Sequence, residues 1–336
     1  MVSARLELAF PDGPPEGSVL AIGARAGDDL SPLTPAATTI QQGHATDHAA
    51  LSARGWTVAP QVERDGFDAA VVMLPRAKSL ARARIAHAAA RLAPDAPLWI
   101  DGQKHDGVDS ILKEMRRLAP VDEVHSKAHG KIFRVRVPAG EWLPDDWAAR
   151  PAQVAPGFVT RPGVFSADGI DPGSALLVRH LPDRLPTRLV DLGAGWGWLA
   201  AQALRRPGVE VIHLVEAEHA ALESARDNID DARARFHWAD GRDFTLPEPV
   251  NGVIMNPPFH DGRRADPGLG AAFIASAARL LTGAGHLWMV ANRHLPYETE
   301  LSRHFATVAE IGGDNRFKII QASGAGRAAG RKGARK

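Results

Sequence analysis

Three groups of residues in the second half of this 336-residue chain have the types and spacing that chemistry needs. The first is Asp191 with Gly193, Gly195 and Gly197, placed where the apolar run from Arg188 to Leu192 gives way to an apolar helix from Leu199 to Leu204. Glycines at such a turn supply φ > 0, and without a Cβ they let a ligand come close to the backbone. A nucleotide-like ligand over the turn and the start of the helix is the natural occupant. The spacing departs from the dinucleotide fingerprint, because Trp198 stands where G-x-G-x-x-G would put its last glycine. The second group is a pair of acids: Glu216 closes the run from Val209 to Val215, and Asp240 closes Arg235 to Asp240. The third is Asn256-Pro-Pro-Phe-His260, directly after the buried-strand pattern of Val250 to Met255. Read alone, Asn-Pro after a strand is a turn signal.

These groups meet only if the elements that carry them lie side by side. Strands in one parallel sheet bring their carboxyl ends to one crevice, which is where open α/β sheets bind ligands. The rest of the half supplies such a sheet: helices from Ser174 to His180, Ala220 to Asn228, Ala271 to Leu281 and Glu298 to His304, and strands from His286 to Ala291 and Arg316 to Gln321. Alternation of strands and helices predicts a parallel, doubly wound α/β sheet.

The first half reads in the same way. Ser18 to Gly27 is a strand with a glycine turn, and Asp68 to Pro75 a buried strand. A helix from Ser79 to Leu92, a strand from Pro97 to Asp101, a helix from Val108 to Leu118 and an alternating strand from Lys131 to Val137 follow. Leu33 to His48 has no clear period. Laid beside the second half, the order and spacing repeat, and Trp99 falls opposite Trp288. Where the second copy has Asp191 and Asn256, the first has Ala21 and, before its proline, Leu74. Two Rossmann-like domains are expected: 1–150, a degenerate duplicate for RNA recognition or scaffolding, and 151–323, the catalytic copy. Residues 324–336, only Gly, Ala, Arg and Lys, form a basic tail expected to be disordered.

Composition narrows the chemistry. A length of 336 residues with 45% hydrophobic content is enough for two domains with their own cores. A net charge of +1 gives no global case for nucleic acid, so any basic surface is local, such as the Arg-rich helix around Arg82 and Arg84. There are no cysteines, which excludes disulfides, thiolate metal sites and cysteine nucleophiles. His44 and His48 stand at i and i+4, but no glutamate follows His44 as in a zincin, and no metal is expected. No apolar leader and no membrane-length run is present, so a cytoplasmic protein is expected.

An acid after the glycine turn, an acid after the next strand and Asn-Pro-Pro-aromatic after the fourth resemble the class I S-adenosylmethionine-dependent methyltransferases that act on a planar exocyclic or amide nitrogen. The resemblance implies S-adenosyl-L-methionine as cofactor, whose sulfonium needs neither metal nor covalent nucleophile. An aryl amine must instead have its lone pair localised on nitrogen. Asn256 and the Pro257 carbonyl can accept its two N–H bonds, held rigid by the prolines, and Phe259 offers a face for the base. By the same resemblance Asp191 holds the glycine turn or the methionine amino group, Glu216 the ribose hydroxyls and Asp240 the adenine amino group.

Gly163-Val-Phe-Ser-Ala-Asp-Gly-Ile-Asp171, Gly173-Ser-Ala-Leu-Leu177, the Asp191–Gly197 turn, Asn256-Pro-Pro-Phe-His260 and Ala291-Asn-Arg-His-Leu-Pro-Tyr297 together are similar to the RsmC-type ribosomal RNA guanine-N2 methyltransferases. That resemblance implies cofactor contacts at Phe165, Asp191, Gly193, Ala194, Gly195, Gly197, Glu216, Asp240 and Asn256. It implies catalysis by Asn256, Pro257 and Phe259, and substrate contacts at Pro258, Phe259 and His260. The implied substrate is a guanine of small-subunit ribosomal RNA, met by a monomer. Large-subunit RNA, a protein glutamine amide, and a non-catalytic RNA-binding assembly factor are the alternatives.

Overall fold

The computed structural model describes residues 2–258, 260–261, 264–265 and 267–326. They form two compact units, Met1–Pro151 with Arg161–Gly163, and Ala152–Thr160 with Val164–Lys336.

The first unit is a seven-stranded sheet in the order β3-β2-β1-β4-β5-β7-β6. Its strands are β1 (Val19–Ile22), β2 (Thr38–Gln41), β3 (Thr57–Ala59), β4 (Ala69–Met73), β5 (Pro97–Gln103), β6 (Val121–Lys127) and β7 (Gly130–Arg136). Helices α1 (Ser3–Ala9), α2 (Ala45–Ala53), α3 (Lys78–Arg91) and α4 (Val108–Leu118) complete it. Every residue of β4 is buried, as an uninterrupted apolar run covered on both faces requires. In α4 the buried residues are Val108, Ile111, Leu112 and Met115, the i, i+3, i+4, i+7 stripe of a helix lying on a sheet. Alternation along the strands sorts two cores. Leu20, Val72, Ile100 and Phe133 fall in one; Ala21, Val71, Met73 and Trp99 fall in the other.

A hairpin of β8 (Ala152–Ala155) and β9 (Phe158–Thr160) opens the second unit, followed by helix α5 (Pro172–His180). Its sheet has the order β12-β11-β10-β13-β16-β18-β17. The chain runs through β10 (Arg188–Leu192), α6 (Trp198–Leu204), β11 (Val211–Glu216), α7 (His219–Asn228), β12 (Ala234–Trp238) and β13 (Val250–Met255). After a two-stranded excursion, β14 (His260–Asp261) and β15 (Arg264–Ala265), come α8 (Pro267–Leu280), β16 (Leu281–Asn292), α9 (Tyr297–His304), β17 (Phe305–Gly313) and β18 (Phe317–Ala325). Strand for strand, this is the permutation of the first unit.

The repeat read from the sequence is therefore real in topology, but three expectations need correction. Neither sheet is wholly parallel: β7, and likewise β18, runs antiparallel to both its neighbours, between five parallel strands and the edge strand β6 or β17. Short turns join them, Ala128-His129 in one unit and residues 314–316 in the other, and a short turn can only reverse a chain. The edge strands β6 and β17 were hidden because most of their residues are exposed or half-exposed, so neither shows an apolar pattern. The structure also adds α1, β2, α2 and β3, which the aperiodic first sixty residues concealed. Finally, β18 continues through Ala325, paired with Phe305 and buried, so Gly324 and Ala325 are not part of a disordered tail. Residues 327–336 lie outside the described residues.

Candidate active site

The glycine turn is built as its sequence demands. Gly193, Gly195 and Gly197 all sit in the left-handed region, at φ of 80°, 56° and 83°. A Cβ at Gly195 would meet nothing within 4 Å, so its glycine answers to the backbone angle rather than to packing. The amides of Gly193 and Ala194 donate to the Val215 carbonyl at 2.9 and 3.0 Å, which folds the turn over the end of β11. Glu216 completes the cradle. Its Oε2 accepts from the Gly195 amide and its Oε1 from the Glu218 amide, both at 2.8 Å.

Asp191 does something else. It ends up fully buried near the end of β10, and neither carboxylate oxygen has a hydrogen-bond partner among the described residues. Burial pushes its pKa up to about 8; the Ala200 amide offsets part of that shift, and the charge of Glu216 adds to it. A buried, unpartnered carboxyl is costly, and the usual remedies are neutralisation or a cation. Asp191 lines a pocket with Phe165, Gly193, Ala194, Gly195 and Asn256, so the position fits a ligand that brings an ammonium.

Asn256 follows β13 on the face of the sheet that carries Asp191 and Ile254. Its Nδ2 donates to Asp171 Oδ2 at 2.8 Å and to Ser174 Oγ at 2.9 Å. Asp171 is itself the N-cap of α5, accepting from the Ser174 amide at 2.7 Å, with Pro172 in the first helical turn. The nitrogen end of the Asn256 amide is thereby committed to α5.

The structure thus brings Phe165, Asp191, Gly193, Ala194, Gly195 and Asn256 to one pocket. Gly197 caps α6 instead of lining it. Glu216 and Asp240 do not line it either. The turn-holding role given as one alternative to Asp191 belongs to Glu216, because a carboxylate at the end of β11 reaches the Gly195 amide while Asp191 points into the pocket. Asp240 is gripped by Arg242, which donates to it from the backbone at 2.9 Å and from its guanidinium at 2.6 Å. Pro257 is buried and Pro258 exposed. Phe259 lies outside the described residues, and of His260 only its place in β14 is described. Among the described residues no cluster of three or more His, Cys, Asp or Glu could hold a metal ion. No helix among them is long and apolar enough to cross a membrane.

Sequence reasoning missed Asp171 and Ser174 as site residues, although Asp-Pro-Gly-Ser is a capping signal, and placed the helix start two residues late. It also missed the pocket walls Trp196, Trp198 and Leu199. Asn228 was invisible: from α7 its Nδ2 donates to the Trp196 and Val159 carbonyls at 2.9 Å, and its Oδ1 accepts from Val159, pinning the turn to β9.

Two family models match the chain, "Methyltransferase small domain N-terminal" over residues 16–148 and "Methyltransferase small domain" over residues 156–321. The ribosomal RNA small subunit methyltransferase C of Stutzerimonas stutzeri (strain A1501) is 33% identical over 320 residues, covering 91% of this chain and 94% of the relative. That of Pseudomonas syringae pv. syringae (strain B728a) is 33% identical over 323 residues, covering 91% and 95%. Among solved structures, the T. thermophilus 16S rRNA N2 G1207 methyltransferase in complex with AdoMet and guanosine superposes with a TM-score of 0.79 at 23% identity, covering 95% of this chain and 91% of that one. That likeness spans both units and shows a shared fold.

Proposed function

The chain belongs to the ribosomal RNA small subunit methyltransferase C family, and on that footing we propose that it transfers a methyl group from S-adenosyl-L-methionine to the exocyclic N2 of a guanine in small-subunit ribosomal RNA. The observation that carries this reading is the pairing, in one pocket wall, of a buried carboxyl without a partner and an amide whose nitrogen is already taken. Asp191 receives the methionine ammonium, which lets the carboxyl ionise where burial alone keeps it neutral near pH 7. Gly193 and Gly195 admit the cofactor against the backbone, and Glu216 keeps the turn in shape and accepts from the ribose hydroxyls. Asp240 meets the adenine amino group only where Arg242 yields some of its hold. The bound cofactor supplies a methyl group on a sulfonium that is a good leaving group.

The work of the protein is then at nitrogen. The Asn256 amide oxygen and the Pro257 carbonyl accept the two N–H bonds of the guanine amine, aim its lone pair and stabilise the positive charge that grows on it. Phe259 stacks on the base, and Pro258 and His260 complete the substrate side. The reading carries with it a cytoplasmic monomer that needs no metal.

The test is a tritiated methyl-transfer assay with full-length protein, offered small-subunit particles, large-subunit particles and RNA-free cell protein. Label should appear as N2-methylguanosine from small-subunit RNA. Label in large-subunit RNA, or in glutamine of a protein, would replace the substrate assignment; absence of cofactor binding by calorimetry would remove the enzyme reading.

A further inference from the structure

We infer that Asp171, supported by Ser174, is a polarity lock that decides which end of the Asn256 amide meets the substrate. A side-chain amide is nearly symmetric in shape, and its two ends differ only in being donor or acceptor. Asp171 Oδ2 and Ser174 Oγ lie at 2.8 and 2.9 Å from one end of the Asn256 amide. An ionised carboxylate only accepts, so an amide oxygen turned toward Asp171 would set two oxygens against each other at hydrogen-bond distance. The nitrogen must therefore face α5, which leaves the oxygen for an N–H donor.

The carboxylate is not free to swing. The same Oδ2 accepts the Ser174 amide at 2.7 Å as the N-cap of α5, and Pro172 at the first helical turn fixes the entry of the chain. The lock is thus anchored to a secondary-structure end and not to a loop tip. It also polarises: a negative acceptor on the amide N–H strengthens the carbonyl at the other end as an acceptor, as hydrogen bonds in series do. An acceptor-only wall selects a substrate nitrogen that carries hydrogens and rejects a ring carbonyl in the same place. Asp171 is a positioning residue, acting through Asn256. This inference rests on the functional reading above for the identity of the amine, but not for the geometry.

Asp171→Ser is the informative change, because serine caps a helix as well as aspartate does, so melting should be close to that of the parent. A hydroxyl at position 171 can accept the Ser174 amide and still donate, so it no longer forbids the flipped Asn256, and the single-turnover rate should fall by about tenfold to a hundredfold, the scale of a small misplacement at a reacting centre. KM for RNA and cofactor affinity should change little. Rescue distinguishes a lock from a structural prop. Asn256→Asp alone sets two carboxylates face to face and should be poorly active, recovering toward low pH as they share a proton. Adding Asp171→Ser to it replaces the facing carboxylate by a hydroxyl that donates, restores a donor–acceptor pair with the polarity reversed, and should raise the rate about tenfold or more above Asn256→Asp alone. A readout independent of activity is the side-chain NH2 of Asn256 in full-length protein labelled with nitrogen-15: its protons should be protected from exchange with water, and the protection should be lost in Asp171→Ser. Fast exchange in the parent protein, or a paired variant no better than Asn256→Asp, overturns the lock. Protected protons in a protein that methylates something other than guanine N2 overturn the substrate assignment and leave the lock standing.

Discussion

The two units spend the same sheet in opposite ways. Strand register aligns them residue by residue: Val71 pairs with Trp99 and Ala21 in the first, as Ile254 pairs with Trp288 and Asp191 in the second. Ala21 therefore stands at the position of Asp191. Carrying the register two residues on puts Met73, not Leu74, at the place of Asn256, which corrects the alignment read from the proline. Gln42 replaces Glu216 and even copies half its hydrogen bonding, since its Oε1 accepts from the His44 amide at 2.8 Å as Glu216 accepts from Glu218. Its other end is an amide nitrogen that donates to the Ala24 carbonyl, where Glu216 accepts from Gly195. Over the first glycine, Arg84 takes the place of Phe273. A Cβ on Gly23 would collide with the Arg84 guanidinium, whereas one on Gly193 would meet the Phe273 ring at 3.3 Å.

The contrast extends to buried charge. In the first unit the buried carboxylate is Asp101 at the end of β5, matched by Arg5 of α1, whose Nη2 donates to Oδ2 at 2.8 Å; both side chains are almost wholly enclosed. In the second, neither oxygen of the buried Asp191 has a hydrogen-bond partner among the described residues. A paired buried charge is expensive to break and a lone one is expensive to keep, so the first arrangement fits a part in folding and the second the ligand-holding role proposed for Asp191. Scaffold and chemistry separate along the strands: apolar residues pack both faces of each sheet, while the site residues sit at or just past the strand ends.

The largest effect that would sharpen the comparison is at the fourth strand. Asn256→Ala removes the acceptor proposed for the amine and should lower the single-turnover rate by about 10²–10³, the usual loss for one preorganised polar group, with little change in cofactor affinity by calorimetry. Its counterpart Met73→Ala should cost about 2–5 kcal/mol of stability through the cavity it leaves. Methyl transfer should persist wherever that variant is folded. A rate loss at Met73 as deep as that at Asn256 in folded protein would mean that the first unit shares in the chemistry.

Much of this was legible. A glycine turn has one conformational meaning, and acids after apolar runs announce strand ends, so Asp191, Glu216 and Asn256 could be placed on β10, β11 and after β13 before any coordinates. What stayed hidden were relations between carboxylates and distant amides. Whether Asp191 or Glu216 held the turn depended on which strand end leaned over Gly195, and spacing along the chain carries no such information. Asp171 lies 85 residues from Asn256, and only packing of α5 against the sheet brings them together. Edge strands escaped for a different reason: β6 and β17 are exposed or half-exposed on both faces along most of their length, which removes the apolar half of the alternation that identifies a strand.

A smaller but more diagnostic effect comes from pH. The pKa of Asp191 is near 8 in the folded protein against an ordinary 3.8, so between those values the folded state holds a proton that the unfolded state has released. Stability of the cofactor-free protein must therefore fall as pH rises from about 4 to 8, by at most about 1.4 kcal/mol per pH unit from this group, and level off above. Asp191→Asn should remove its part of that slope in thermal melts and leave the part from Asp101, whose pKa burial also raises. Binding an ammonium requires the ionised carboxyl, so cofactor affinity of the parent should climb with pH up to about 8, by no more than about tenfold per unit, and the climb should vanish in Asp191→Asn. Flat affinity between pH 6 and 8 in the parent would place the ammonium elsewhere.

The smallest effect asks whether the first unit has an occupation of its own. Its sheet ends in a hairpin whose Ala128 and His129 both take left-handed angles, φ 51° and 58°, the geometry of a tight two-residue turn. The Lys104 amide donates to the His129 carbonyl at 2.9 Å and ties that turn to the end of β5. Around it Lys104, Lys127 and Lys131 line a groove of about 460 Å³. Lys131 is answered by Asp109 at 2.6 Å, but Lys104 and Lys127 have no ion-pair partner among the described residues. Two cations held on a fixed turn are suited to RNA phosphates, and each phosphate contact adds about 0.7 to 0.9 to the slope of log affinity against log salt. Replacing both by Ala should reduce that slope by roughly 1.4 to 1.8 in filter-binding titrations with ribosomal RNA. The rate at saturating RNA should be unchanged, because neither lysine lies in the pocket that holds Asn256 and Asp191. An unaltered slope would leave the first unit as a folded scaffold whose lysines only solvate its surface, and the comparison would then be between a site and its empty copy.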